Sequence, residues 1–227
     1  LYEHQRNIFT VFSNKEDMYE PKLVLYIAPT ATGKTLSPIG LSESFRIIFI
    51  CAARHVGLAL AKSAISIGKK IALAFNCIDT DGIRLHFNSA VEFTRDWNSG
   101  GIRKVDNSVG TSVEMLICDV KSYIPAMNYM LTFNQKENII VYWDEPTISM
   151  DSETHELHSF INKNWTQNLI PNIVLSSATL PKEYEIMDTI NDYKTRFGGN
   201  IISIISHDCQ KSIPILNSNG EVMLPHF

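Results

Sequence analysis

Three short runs carry residue types that can do chemistry together. Gly33-Lys34-Thr35 closes the stretch Ala28-Pro29-Thr30-Ala31-Thr32-Gly33-Lys34-Thr35, Asp144-Glu145 follows the apolar run NIIVYW, and Ser176-Ser177-Ala178-Thr179 closes NIVLSS. Glycine, lysine and a hydroxyl in that order end a phosphate-binding loop. In such a loop backbone N–H groups cradle phosphates, the lysine reaches their terminal oxygens, and the hydroxyl holds Mg2+. The full pattern, G-x-x-x-x-G-K-[ST], wants glycine where Ala28 stands. Adjacent carboxylates suit a second role, with Asp144 holding the metal and Glu145 orienting and deprotonating a water. Ser177 and Thr179 offer hydroxyls to that acidic pair, or a cap before Pro181.

Elements must bring these runs together. Continuous apolar runs predict strands over Leu23–Ala28, Arg46–Ala52, Lys70–Phe75, Ser112–Cys118, Asn138–Trp143, Asn172–Ser177 and Asn200–Ile205. Helical spacing predicts helices near Leu36–Glu43, His55–Ile67, Ile124–Leu131, Asp151–Asn164 and Pro181–Phe197, with Asp79–Gly110 a polar surface excursion. Strands apolar throughout, alternating with helices, imply an α/β fold: a doubly wound, mostly parallel sheet covered on both faces. All three chemical runs then fall at strand C-terminal ends, where open α/β sheets bind ligands.

Bulk composition narrows the classes. The 227 residues, 44% hydrophobic, suit one large domain or two small ones, and a formal net charge of −4 gives no general basic footprint for nucleic acid. Cys51, Cys77, Cys118 and Cys209 lie far apart and fit buried free thiols in a reducing compartment. His155-Glu156-Leu157-His158 lacks the i, i+4 histidine spacing of a helical zinc site, and reads as a solvated helix face. No apolar stretch reaches the roughly 20 residues of a membrane span, and the N-terminus lacks a signal-peptide layout, so an intracellular protein with no membrane partner is expected. The chain lacks a starting methionine, which fits a trimmed fragment. Residues 1–206 are expected to form the domain, and 207–227 a tail or linker.

In this order the three runs resemble superfamily 2 helicases and translocases, the DExD/H-box class, whose phosphate loop often reads A-x-T-G-x-G-K-T. Ala28, Thr30, Gly33, Lys34 and Thr35 match it; Ala31 stands where glycine is usual, and would carry about 1–2 kcal/mol of strain if that position needs φ > 0. Asp144-Glu145-Pro146-Thr147 matches the family's DExx motif and Ser177-Ala178-Thr179 its S-A-T motif, which links nucleotide state to nucleic-acid grip. The resemblance implies a RecA-like P-loop NTPase domain that binds ATP and Mg2+ through Thr30, Ala31, Thr32, Gly33, Lys34, Thr35 and Asp144, with Lys34 and Glu145 catalytic. It further implies that Gln5 reads adenine, that Arg54 contacts the backbone of DNA or RNA, and that a second RecA-like domain bearing arginine fingers completes the enzyme. Cys118-Asp119-Val120 departs from the family's next nucleic-acid motif; Asp119 would repel phosphate, with Lys121 a partial compensation. Two further readings stand beside the helicase: a degenerate nucleotide-dependent interaction module, and a P-loop kinase, for which no arginine cluster is visible.

Overall fold

The computed structural model describes residues 2–14, 20–29, 32–97, 99–147, 154–181, 183–206, 215–219 and 221–224. In chain order the main elements are α1 (Glu3–Ser13), β1 (Lys22–Ile27), α2 (Ser37–Leu41), β2 (Arg46–Cys51), α3 (Arg54–Ser66), β3 (Ile71–Ala74), β4 (Arg84–Leu85), β5 (Phe93–Arg95), β6 (Ile102–Val105), β7 (Met115–Asp119), α4 (Tyr123–Phe133), β8 (Ile139–Asp144), α5 (Leu157–Gln167), β9 (Asn172–Ser177), α6 (Met187–Phe197), β10 (Asn200–Ile205), β11 (Ile215–Leu216) and β12 (Val222–Leu224). Eight strands form one sheet in the order β10-β1-β9-β8-β2-β7-β3-β4. Every neighbouring pair is parallel except β3 with β4. The expected doubly wound, mostly parallel α/β architecture is the observed one.

Side-chain alternation divides the core into two layers. Leu23 and Leu25 of β1 join Ile48 and Ile50 of β2 on one face, where Tyr123, Met127 and Met130 of α4 and Tyr193 of α6 cover them. Val24 and Tyr26 point the other way with Ile47 and Phe49, beneath Ile8 and Phe12 of α1, Leu41 of α2 and Leu60 and Ala64 of α3. Each large aliphatic side chain so buried contributes roughly 1.5–3 kcal/mol, which is why these strands show no polar alternation.

Several helices differ from their predicted limits, for local reasons. The helix after the phosphate loop holds five residues, SPIGL, because Pro38 is tolerated only in a first turn and Gly40 and the flanking serines are poor helix formers. The segment predicted helical from 151 becomes so only at Leu157, where the His155 Nδ1 accepts the Leu157 N–H at 3.1 Å, and then runs on to Gln167; residues 151–153 lie outside those described. The segment from 181 opens with one tight turn, Glu183–Ile186, before α6. That helix stops at Gly198, whose φ of 65° is the left-handed conformation of a helix C-terminus and whose N–H returns to the Lys194 carbonyl at 2.8 Å. The excursion contains the ribbon β5–β6, and the segment expected to be a tail or linker contains the ladder β11–β12. Among the described residues no helix is long and apolar enough to cross a membrane.

Candidate nucleotide site

The phosphate loop leaves β1 pinned to its neighbour. The Ala28 N–H donates to the Ser177 carbonyl at 3.3 Å, and the buried Thr32 hydroxyl donates to the Pro29 carbonyl at 2.7 Å. Thr30 and Ala31 lie outside the described residues, and with them the question of strain at Ala31. Gly33 has φ 77°, a backbone conformation that favours glycine; a Cβ there would lie 2.8 Å from Gln5 Nε2, the end of a flexible side chain that can move aside. Lys34–Leu36 then form one tight helical turn leading into α2. So short a helix supplies little macrodipole, which leaves Lys34 as the main positive charge of the loop.

Lys34 is 5% exposed, and its ammonium donates to Glu145 Oε1 at 2.7 Å. The other carboxylate oxygen of Glu145 accepts the Ser177 hydroxyl at 2.5 Å, and the same hydroxyl oxygen accepts the Thr179 N–H at 3.3 Å. Lysine, glutamate and serine from three loops thus form one chain of contacts. Glu145 reaches it with φ 50°, a left-handed conformation uncommon outside glycine, while its N–H donates to the Ser176 carbonyl at 2.7 Å. Burial pushes the Glu145 carboxyl up, but hydrogen bonds from Lys34 and Ser177 outweigh it and hold the group below its ordinary value.

Asp144 behaves oppositely. It is 5% exposed, and burial, then the neighbouring Glu145 charge, push its carboxyl up to about 6 despite Lys34 and hydrogen bonds from Ser176 and Thr35. The Thr35 hydroxyl lies near the Asp144 carboxylate and helps hold its pKa down, and both are hard oxygen donors of the kind Mg2+ prefers. No group of three or more His, Cys, Asp or Glu side chains forms a metal cage among the described residues. That donor set fits Mg2+, an ion that keeps several waters and takes its remaining ligands from substrate phosphates.

Some supporting residues carry no motif in the sequence. Tyr142, wholly buried two positions before Asp144 and so on the same strand face, donates its hydroxyl to the Lys34 carbonyl at 2.7 Å and lies 3.1 Å from Ser176 Oγ. Beneath the loop, the Tyr26 hydroxyl lies 2.5 Å from His4 Nδ1 and 3.4 Å from Ser37 Oγ. A tyrosine inside an otherwise aliphatic strand is the signal that could have found them, since its hydroxyl needs a buried partner.

The remaining candidates divide. Gln5, on α1, donates from Nε2 toward the Thr32 and Gly33 carbonyls at 3.4 and 3.3 Å, so it belongs to the loop. Arg54 begins α3 at the same end of the sheet but is exposed, with its guanidinium 5.1 Å over the Phe75 ring and outside the Lys34 cluster. Thr179 is exposed and meets the cluster through its backbone. Asp119 caps a turn, accepting the Asn76 N–H at 2.7 Å and the Ser122 N–H at 2.8 Å. Lys121 does not compensate its charge, being paired with Glu156 at 3.0 Å. Cys51, Cys77 and Cys118 are free and buried, and burial first raises the Cys51 thiol to about 12, which makes it unreactive. Cys209 lies outside the described residues.

No protein-family model and no curated protein matches the chain. Solved structures do. A DEAD box protein from the hyperthermophile Methanococcus jannaschii superposes with a TM-score of 0.55 at 18% identity, over 95% of this chain and 53% of that one. The helicase domain of Pyrococcus furiosus Hef aligns at 13% identity over 90% of this chain and 38% of that one, with a TM-score of 0.49. The first likeness shows a shared, helicase-like RecA fold. The chain spans about half the length of that DEAD box protein.

Proposed function

We propose that this chain is the ATP-binding half of a helicase or translocase that couples ATP hydrolysis to movement on, or remodelling of, DNA or RNA inside the cell. The observation that carries the reading is the convergence of Lys34, Thr35, Asp144, Glu145 and Ser177, from three separate loops, onto one end of a RecA-like sheet. Lys34 would hold the β- and γ-phosphates, and Thr35 with Asp144 would hold Mg2+, which would supply neutralising charge at the phosphate oxygens. Gln5, beside the loop, would read adenine, and Thr30, Ala31, Thr32 and Gly33 would bind the phosphates.

When phosphate takes Lys34, Glu145 loses its cation and becomes available to a water. The water oxygen bonds to the γ-phosphorus as the bond from that phosphorus to the bridging oxygen of ADP breaks. The water's proton passes to the Glu145 carboxylate and from there to the released phosphate, leaving ADP and inorganic phosphate. Ser177, bonded to Glu145, carries that change to the loop through Thr179, and Arg54 at the same sheet end meets the nucleic-acid backbone. A second RecA-like domain would add an arginine finger, worth about 10³–10⁵ in rate, so this chain alone turns ATP over slowly.

Calorimetry with an ATP analogue and Mg2+, on this chain and on Lys34→Ala, tests the reading. Binding by the parent and none by the variant is expected; equal binding by both overturns it. The Lys34–Glu145 pair favours one other reading, a nucleotide-dependent interaction module without productive hydrolysis, because both groups are engaged with each other. Binding without any phosphate release, even with the remaining domain supplied, would select the module.

A further inference from the structure

The excursion between β3 and β7 ends in an exposed ribbon. β5 and β6 pair with each other alone, apart from the main sheet, with Phe93 opposite Val105, Thr94 opposite Lys104 and Arg95 opposite Ile102. Its roots are firmly held: the Leu85 N–H donates to Asn107 Oδ1 at 2.8 Å, Tyr129 donates its hydroxyl to the Asn107 carbonyl at 2.9 Å, and Ser89 donates its hydroxyl to the Ile71 carbonyl at 2.9 Å. Ile71 is the first residue of β3, whereas the phosphate loop follows the last residue of the parallel β1. The ribbon therefore springs from the end of the sheet opposite the candidate nucleotide site.

Its surface is unusual for this chain. Trp97, at the turn, is 101% exposed, and Phe93 and Ile102 are more than a third exposed. Arg95, Arg103 and Lys104 are all exposed, and none forms an ion pair among the described residues. Arg95 lies 5.7 Å over the Phe93 ring. The acids nearby sit lower or in the turn: the Asp106 N–H donates to the Glu92 carbonyl at the foot, and Asp96 Oδ1 accepts from the Ser99 N–H and hydroxyl. Glu92, Asp96 and Asp106 equal these cations in number, but the paired strands Phe93–Arg95 and Ile102–Val105 themselves carry only cations beside open aromatic faces, a placement with a specific chemistry. Flat rings accept stacked bases regardless of sequence, and interleaved cations take the phosphates between them.

We infer that the β5–β6 ribbon is a second nucleic-acid contact, stacking a single strand on Trp97 and Phe93 with its phosphates on Arg95, Arg103 and Lys104. The inference rests on the nucleic-acid part of the function proposed above. It adds a contact remote from Arg54 that would hold a strand at the far end of the domain.

Titration with mixed-sequence single-stranded DNA and RNA 12-mers, following tryptophan emission and anisotropy across a salt series, tests it on the full chain. Trp97 dominates the accessible emission, because Trp143 is 4% exposed and Trp165 is partly buried. Quenching on binding is expected. Trp97→Ala should weaken binding about 5- to 150-fold, the usual range for losing one stacked base. Arg95→Gln with Arg103→Gln and Lys104→Gln should flatten the salt dependence by about 2 log units per log unit, near 0.7 for each lost phosphate contact. Unchanged melting and unchanged ATP-analogue binding identify folded variants, since the substitutions lie on an exposed ribbon. Binding that falls with Arg54→Ala but ignores the ribbon variants overturns the ribbon site and leaves the proposed function standing. No binding of either oligonucleotide at low salt, with nucleotide binding intact, overturns both. Ribbon-dependent capture of a protein without oligonucleotide binding overturns the ribbon site in favour of a protein partner.

Discussion

Lys34 and Glu145 hold each other at 2.7 Å, so an incoming phosphate must displace a carboxylate before it reaches the lysine. Glu145→Gln removes that competitor. We expect about 3- to 10-fold tighter ATP-analogue binding by calorimetry, modest because Glu145 is 37% exposed and its charge is screened. Phosphate release should meanwhile fall by about 10²-fold or more with the loss of the base. The two carboxyls also respond oppositely to pH. Glu145 titrates below its ordinary 4.5, so its pairing stabilises the fold above that pH and is lost as acid protonates it. Asp144, raised to about 6 from an ordinary 3.8, favours the fold while protonated, and that contribution is lost as pH rises through 6. Asp144→Asn should therefore raise the melting temperature at pH 8, by roughly 2–4 °C for each kcal/mol relieved, and by clearly less at pH 5. The same variant should lose Mg2+-dependence of nucleotide binding.

Among elements, the strands were legible because burial on both faces leaves them apolar from end to end, and each chemical run was legible because it followed one. Helix α1 was not, since its apolar residues Ile8, Phe9, Val11 and Phe12 fall in one short run that does not by itself separate helix from strand. Yet α1 carries Gln5 to the loop, and Tyr142 under Lys34 was equally hidden, because a single strand does not say which strand lies beside it. Gly33 joins these elements. Gly33→Ala should cost about 1–2 kcal/mol for its positive φ, read by urea unfolding.

At the scale of the molecule, one sheet between two helical layers makes the site rigid from below. Phe49 stacks 5.8 Å from Tyr142, whose hydroxyl holds the Lys34 carbonyl. Phe49→Ala should destabilise the fold by about 3–5 kcal/mol in denaturant titration and weaken nucleotide binding as well, although it touches no ligand. Composition and spacing gave the layer count but not the strand order, because order is set by which helices cover which face, and several helices here are short or broken. The ribbon was invisible for a related reason: its strands are too brief and too polar to show a period.

The strand order has a consequence for how the protein comes to exist. β1, the first strand of this sheet in chain order, lies between β9 and β10, with Lys22 level with Asn200 and Leu23 level with Ile173. Nearly the whole domain must be synthesised before β1 acquires either neighbour, and closing so long a loop is slow. Until then its apolar edges have no partner, and the loop after it cannot take shape. A nascent chain halted anywhere before β9 would expose β1 to aggregation or to a chaperone, and competence for nucleotide would arrive late and all at once.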